Sequence, residues 1–275
     1  MSEDSPVQPL EVLYEADGLA TADLPPELAR LYGGPLGFDE PRLFANFVST
    51  IDGVVAIPSI PKSNAVIAAG SKGDLFVMGL LRAFADVVLI GSGTLRSSPE
   101  GTWLPEKVFP PAAAAFAELR RVRERPETPE VAVLTGRGSI DPAHPLLESG
   151  ALVLTSERGA ARLDGELPRA SEIVSLGQDT SIDPRAVVSA LHERGHRLIL
   201  SEAGPHTFGD LLGAGVVDEL FLTVSPLLAG DAGQDSRFRL VEAQDLNPLA
   251  RARPLSIRRH EEHVFLRYEL DRRAS

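Results

Sequence analysis

The chain has 275 residues, of which 43% are hydrophobic, so it can form one large buried core or two small ones. With 27 Lys and Arg against 39 Asp and Glu, its net charge of -12 argues against general binding of nucleic acid or anionic membranes, which requires basic surfaces. The absence of cysteine excludes disulfides, thiolate zinc sites and cysteine nucleophiles, so redox chemistry here requires a bound cofactor.

The N-terminal residues have neither the basic nor the apolar segment of a secretion signal, and no stretch approaches the roughly 18 apolar residues of a membrane-spanning helix. We therefore expect a soluble, cytoplasmic protein. Residues 1–40 are rich in acidic residues, proline and glycine, with one short amphipathic stretch at 24–32. This composition predicts an N-terminal arm packed on a single domain formed by residues 41–275.

From residue 42 onward, short β-rich runs alternate with helical patterns. Strands are predicted at 42–49, 87–90, 131–135, 151–155, 172–176, 197–201 and 217–224, and helices at 71–85, 111–124, 183–194 and from Pro205. The tail at 255–270 predicts one or two antiparallel strands at an edge, and 97–110 and 230–254 predict long loops. The alternation predicts an α/β fold with a mostly parallel sheet and helices on both faces.

Two of the predicted helices begin with recognisable capping residues. Ser71 and Asp74 have the spacing of a capping box, with Asp in place of the usual Glu. Asp183 and Pro184 predict an N-cap and a first-turn proline, ahead of a helix that ends at Gly195.

A first candidate site follows the strand at 42–49, where the sequence reads S-T-I-D-G. In open α/β sheets, ligands bind beyond the carboxyl ends of the strands, so Asn46, Ser49 and Asp52 are placed to face a cleft. The Asp-Gly pair is also typical of an ordinary turn.

A second candidate is the strand-to-helix passage G-S-G-T at 91–94. Gly91 and Gly93 allow backbone N–H groups to approach a phosphate, and Thr94 adds a hydroxyl. The passage lacks the G-x-G-x-x-G pattern of a Rossmann fold, and a tight turn explains it equally well.

The third candidate is S-E-A-G-P-H-T at 201–207, which ends a strand and opens a helix. Gly204, Pro205 and Thr207 form a helix start suited to a pyrophosphate. Glu202 lies at the strand end, where a carboxylate can bind a polar ring. The alternative is a capped helix beside a salt-bridged glutamate. The six histidines show no metal-binding spacing, so no metal site is predicted.

Together, three motifs resemble the reductase domain of the riboflavin-biosynthesis deaminase-reductases and the free-standing pyrimidine reductases of that pathway. They are N-F-V-S-T-I-D-G at 46–53, L-R-A-F-A-D-V-V-L-I-G-S-G-T at 81–94, and L-S-E-A-G-P at 200–205 followed by V-D-E-L-F-L-T-V-S-P-L-L-A-G at 217–230. The resemblance covers residues 42–270. It implies a dihydrofolate-reductase-like fold, NADPH as cofactor, a homodimer, and reduction of the ribosylamino group of a phosphorylated diaminopyrimidine or aminouracil to ribitylamino.

The resemblance also assigns roles to individual residues. Asn46, Ser49 and Asp52 would line the substrate and nicotinamide cleft, and Glu202 would bind the pyrimidine. Asp52 and Glu202 are the two candidates for handling a proton. The cofactor would be held by Gly91, Gly93, Thr94, Gly204, Pro205 and Thr207, with Arg137 as the candidate partner of its 2′-phosphate.

Two departures from the family pattern bear on function. Ala203 stands where the family commonly has glycine, and L-R-S-S-P-E-G at 95–101 replaces a basic, aspartate-bearing stretch, which leaves the substrate phosphate site open. The zinc deaminase half requires cysteine ligands, so no deaminase activity is expected. Two alternatives remain: a pterin- or dihydrofolate-type reductase on the same scaffold, and a non-catalytic paralogue that binds NADP or a pyrimidine.

Overall fold

The computed structural model describes residues 7–178, 180–231, 233 and 236–271. The strands are β1 (Glu11–Glu15), β2 (Arg42–Ser49), β3 (Val54–Ala56), β4 (Val87–Gly91), β5 (Glu130–Thr135), β6 (Leu152–Thr155), β7 (Glu172–Ser175), β8 (Leu198–Ser201), β9 (Glu219–Val224), β10 (Phe238–Arg239), β11 (Ala252–His260) and β12 (His263–Leu270). The helices are α1 (Pro26–Tyr32), α2 (Ser63–Ile67), α3 (Lys72–Phe84), α4 (Ser92–Ser97), α5 (Pro105–Val108), α6 (Ala113–Val122), α7 (Pro145–Ser149), α8 (Glu157–Leu163), α9 (Pro184–Glu193) and α10 (Pro205–Gly213), and a 3-10 turn at Pro110–Ala112 precedes α6.

A ten-stranded sheet forms the centre of the molecule, in the order β1-β11-β12-β9-β2-β8-β4-β5-β6-β7. The strands from β9 to β7 in this order run parallel, whereas β12, β11 and β1 add antiparallel pairs at one edge. The short strands β3 and β10 pair separately. The predicted α/β fold with a mostly parallel sheet and an antiparallel C-terminal edge is confirmed.

Apolar side chains cover both faces of the sheet, because alternate residues of each strand point to opposite sides. On one face Phe44 packs in a cluster with α3 residues such as Phe76. On the other, Leu43 packs in a cluster with α9 and α10 residues such as Leu191 and Phe208. Helices therefore lie on both faces, as the sequence predicts. No helix within the described ranges is long and apolar enough to cross a membrane.

The N-terminal residues contribute an edge strand that the sequence does not predict. All five residues of β1 are exposed, so no alternation of apolar and polar residues marks the strand, which depends on pairing with β11. The chain then turns through Gly33, which ends α1 with φ 78°. A Cβ on Gly33 would collide with the carbonyl oxygen of Leu10, so only glycine fits there.

Only half of the predicted capping box forms at the start of α3. The Ser71 hydroxyl accepts the N–H of Asp74 at 3.2 Å, as predicted. The Ser71 N–H, however, donates to the carbonyl of Ala68 at 3.0 Å, because positive φ angles at Ala69 and Gly70 turn the chain back on itself. The Asp74 carboxyl is therefore not used by the cap. At α9, Asp183 caps the helix as predicted, accepting the N–H of Arg185 at 2.9 Å.

Candidate functional site

An open cavity of about 1590 Å³ lies beyond the carboxyl ends of β2, β4, β5 and β8. Pockets for one small molecule usually measure roughly 300–1,000 Å³, so this cavity has room for two ligands. Parallel strands bring their carboxyl ends to the same edge of a sheet, which places residues distant in sequence around one space.

The second and third sequence candidates meet in this cavity. A Cβ on Gly91 would lie 3.2 Å from the Thr207 hydroxyl, so the passage after β4 lies against the first turn of α10. The Thr94 hydroxyl donates to the backbone carbonyl of Glu202 at 3.5 Å, which joins α4 to the end of β8. Gly93 and Pro205 also border the cavity.

The start of α10 has the character of an anion site. Its N-cap, Gly204, makes no side-chain capping bond, so backbone N–H groups of the first turn are left for a ligand. A Cβ on Gly204 would meet nothing within 4 Å, so the space beside it is open. Ala203 is buried and is not among the described non-glycine residues with positive φ, so its backbone does not require the glycine common in the family.

Glu202 forms a bidentate ion pair with Arg82 of α3. The guanidinium Nε and Nη2 atoms donate to the two carboxylate oxygens at 2.9 and 2.6 Å. The side chains are only 11% and 9% exposed, for Arg82 and Glu202, yet both residues border the cavity. The salt-bridged glutamate that the sequence left as an alternative is therefore present, and the same glutamate also lines the cavity.

Asp74 is the carboxyl group that sequence reasoning missed. It borders the cavity and is only 3% exposed. Burial raises the pKa of Asp74 to about 6, against a hydrogen bond from Thr223 that lowers it, and the negative charge of Glu202 raises it further. The spacing of residues in the sequence could have identified it. Asp74, Met78 and Arg82 follow one another at intervals of four residues on α3, so they share one helix face, and all three border the cavity.

Asp52 and Ser49 lie outside the lining of the cavity among the described residues. The Asp52 carboxylate accepts hydrogen bonds from the Thr50 hydroxyl at 2.5 Å and from the N–H groups of Ala229 and Gly230 at 3.1 and 2.7 Å. These bonds lower the pKa of Asp52 to about 2. Ser49 is buried at 4% exposure. Asn46, by contrast, borders the cavity as predicted.

Several basic side chains border the cavity in addition to Arg82. They belong to Lys62, Arg96, Lys107 and Arg185. Arg137 is exposed and lies outside the lining, although its neighbour Gly136 contributes to it. The cavity can therefore accept phosphate groups even though the chain as a whole is acidic.

The segment at 95–101 forms part of a fixed wall of the cavity. His144 Nδ1 accepts the N–H of Leu146 at 3.1 Å, so its Nε2 carries the proton and donates to the carbonyl of Ser98 at 3.0 Å. Trp103 is 5% exposed and packs beside this histidine and Gly101. The predicted loop at 97–110 thus contains the end of α4, the whole of α5 and several buried contacts.

No group of three His, Cys, Asp or Glu side chains suited to a metal ion occurs in the described part of the chain.

Comparison with protein families gives one extended match. The family model of the RibD C-terminal domain matches residues 41–266. A 2,5-diamino-6-ribosylamino-4(3H)-pyrimidinone 5′-phosphate reductase of Archaeoglobus fulgidus is 24% identical over 201 residues, which cover 71% of this chain and 84% of that protein.

Two solved structures illustrate the shared fold. A pyrimidine reductase-like protein from Corynebacterium diphtheriae aligns with a TM-score of 0.66 at 22% identity, covering 85% of this chain and 93% of its own. The riboflavin biosynthesis reductase of Saccharomyces cerevisiae aligns with a TM-score of 0.58 at 14% identity, covering 89% of this chain and 98% of its own. At these identities the likeness establishes the fold alone.

Replacing Asp74 by Asn should alter the pH dependence of stability. A carboxyl group whose folded-state pKa exceeds its unfolded value binds its proton more tightly when folded, so the folded state loses stability as pH rises from about 4 to about 6. The free energy of unfolding of Asp74→Asn, measured relative to that of wild type, should therefore rise by about 3 kcal/mol between pH 4 and pH 8. Urea unfolding of both proteins across this range measures the difference, and a constant difference would contradict the raised pKa.

Proposed function

Because the chain belongs to the RibD C-terminal domain family, we propose that it is an NADPH-dependent pyrimidine reductase of riboflavin biosynthesis. It would reduce the ribosylamino group of a phosphorylated diaminopyrimidine or aminouracil to ribitylamino. The curated relative from Archaeoglobus fulgidus carries the name of such a reductase. One observation supports the proposal most directly for this chain: Gly91, Thr94 and Gly204, which belong to the candidate phosphate-binding site, border the same cavity as Glu202.

The residues of the candidate phosphate-binding site fit a nicotinamide dinucleotide. The uncapped start of α10 would take the pyrophosphate through backbone N–H groups, and Gly91, Gly93, Thr94, Gly204, Pro205 and Thr207 would enclose it. When bound, NADPH supplies the hydride. The chain contributes mainly position, because hydride transfer needs the reacting atoms at about 3 to 3.5 Å with water excluded.

Glu202 is suited to orient the pyrimidine. Its carboxylate lies at the end of β8, and Arg82 fixes both of its oxygens through the bidentate pair. Each carboxylate oxygen has a second lone pair, so Glu202 can accept ring N–H or amino groups while it remains bound to Arg82. Asn46 borders the same space from β2 and adds an amide that can donate or accept.

The proposal is tested by measuring the rate of NADPH oxidation by the protein in three reaction mixtures. The first contains the phosphorylated ribosylaminopyrimidine, the second contains dihydrofolate, and the third contains no substrate. Turnover with the first alone supports the pyrimidine reductase. Turnover with dihydrofolate would favour the pterin-type alternative. NADPH binding without turnover on either substrate would favour the non-catalytic paralogue.

Replacing Glu202 by Gln tests its role in substrate binding. The amide keeps the shape but turns one acceptor into a donor that faces donors, so transition-state binding should weaken by about 2 to 4 kcal/mol, or roughly 30- to 1000-fold in kcat/KM. The NADPH dissociation constant should change much less, because backbone groups hold the pyrophosphate. Some loss of thermal stability is also expected, since Arg82 loses a charged partner. A folded variant with wild-type kcat/KM would remove Glu202 from the substrate site.

Cofactor preference provides a further test. We expect wild type to bind NADPH more tightly than NADH, with Arg137 as the proposed partner of the 2′-phosphate. Arg137→Ala should then weaken NADPH binding about 10- to 100-fold and leave NADH binding unchanged, because one charge-assisted contact is lost. Arg185→Ala is the matched comparison, since Arg185 borders the cavity. If only Arg185→Ala reduces the preference for NADPH over NADH, then Arg185, and not Arg137, binds the 2′-phosphate.

The antiparallel edge supports a homodimer. Tyr14, Ile257, Leu266 and Leu222 are paired across β1, β11, β12 and β9, so they form a continuous apolar row on one face of the sheet. Tyr14 is 44% exposed and the other three are half-buried. A two-fold partner would cover this row with its own copy of the same face.

Light scattering at micromolar concentration should give twice the chain mass of 29.4 kDa. Leu266→Asp places a charge in the middle of the row, so it should shift the protein to the monomer mass. Val122→Asp is the control, because Val122 is exposed on α6, outside the apolar row. A monomeric wild type would contradict the homodimer. The cytoplasmic location expected from the sequence stays a prediction.

A further inference from the structure

The proposed reduction consumes one proton for each hydride, and a carboxylic acid beside the reacting atoms could supply it. Five described carboxyl groups border the cavity, and four have other partners or face solvent. Glu202 is paired with Arg82, and Asp183 accepts the N–H of Arg185. Asp210 accepts the side-chain amide of Gln244 at 2.7 Å, and Glu100 is exposed.

Asp74 is the fifth group, and its surroundings favour the neutral acid. It lies in the first turn of α3 at 3% exposure, and its carboxyl is not used by the helix cap. The charge that acts on it is that of Glu202, at the end of β8, and Glu202 is itself paired with Arg82, which lies on the same helix as Asp74. Thr223 of β9 donates a hydrogen bond to it.

The remaining neighbour is the edge hairpin. His260, at the end of β11, packs against Gly73, the residue before Asp74. Burial and the Glu202 charge together hold the proton on Asp74 at pH values where an ordinary aspartate is ionised. Asp74 is thus a buried acid that borders the space where the substrate would lie.

We propose that Asp74 is the catalytic acid of the reduction and donates the proton that opens the ribosylamine ring. This inference rests on the proposed function. The proton passes from the carboxyl to the ring oxygen of the ribose as the C1′–O4′ bond breaks, and the exocyclic nitrogen lone pair forms a C1′=N bond. Hydride addition at C1′, with NADPH as reductant, returns that electron pair to nitrogen. Asp74 then takes up a proton from water.

Turnover measured across pH 5 to 9 tests the proposal. Wild-type kcat should fall with rising pH, because the acid form of Asp74 is lost, and the fall should approach tenfold per pH unit. Asp74→Asn should lower kcat about 10²- to 10⁴-fold, abolish this dependence and leave the NADPH dissociation constant unchanged. Asp74→Glu retains an acid and should recover part of the rate. If wild type turns over and Asp74→Asn keeps its rate and pH profile, the proposal is overturned.

Ser71→Ala controls for a merely structural role of the helix start. It removes the hydroxyl that accepts the Asp74 N–H, so it should lower the melting temperature while the shape of the pH profile stays as in wild type. If Ser71→Ala abolishes the pH dependence as Asp74→Asn does, the effect belongs to the helix start and the proposal fails.

A second measurement does not depend on turnover. Carbon-13 NMR titration of the side-chain carboxyl groups in the protein without substrate should show one resonance that titrates near pH 6 and is missing in Asp74→Asn. Titration of that resonance near the ordinary value of about 4 would overturn the proposal. An inactive wild type would instead contradict the proposed function, so the two failures are distinguishable.

Discussion

Two buried aspartates each align a pair of neighbouring central strands, β4 with β8 and β9 with β2, and the site depends on that alignment. Asp86 lies just before β4 and accepts the N–H groups of Arg197 and Leu198 at 2.6 and 2.8 Å, where β8 begins. Asp218 lies just before β9 and accepts the N–H of Leu43 at 2.8 Å, at the start of β2. Each carboxylate therefore ties the amino end of its own strand to that of a neighbour. Because buried carboxylates are stable only when such bonds are made, alternative registers are disfavoured.

The parallel direction of the central strands explains why the polar cluster forms at one end of the sheet. On the face that packs against α3, Phe44, Leu200 and Phe221 belong to the apolar core. Two residues further along the same strands lie Asn46, Glu202 and Thr223, which point to the same side because the strand period is two. The core thus gives way to polar groups near the carboxyl ends of three neighbouring strands, although Asn46 is level with Phe221 and Thr223 lies one pair further along. Helix α3, which packs on this face, likewise contributes two polar side chains to the cavity, those of Asp74 and Arg82.

The sequence predicts most of the sheet because its strands are apolar runs bounded by turn residues. The strand at 42–49 matches β2 in both limits, and the tail forms two antiparallel strands as expected. The edge strand β1 was missed because its five exposed residues carry no periodic signal. Short helices such as α5 and α7 were missed because each is little more than a single turn, whose stability comes from packing.

The candidate site is less predictable, because its pairs join distant parts of the chain. Glu202 was identified from its place at a strand end, whereas its partner Arg82 is 120 residues away and had no local signal. Asp74 was assigned to a capping box, and the turn at Ala69 and Gly70 releases its carboxyl from that role. Asp52 fits the turn interpretation, since its carboxylate binds the backbone at 229–230.

The hydrogen bond between His144 and the Ser98 carbonyl allows the sequence of the cavity wall at 95–101 to change while the wall keeps its position. The histidine binds the main-chain carbonyl of Ser98, which every residue type possesses, so the position of the wall does not depend on the side chain there. Arg96, Ser97 and Glu100 are exposed side chains on the same wall and border the cavity. Substrate preference can therefore diverge at these positions while the fold of the loop is retained, which makes this segment a natural place for engineering new specificity.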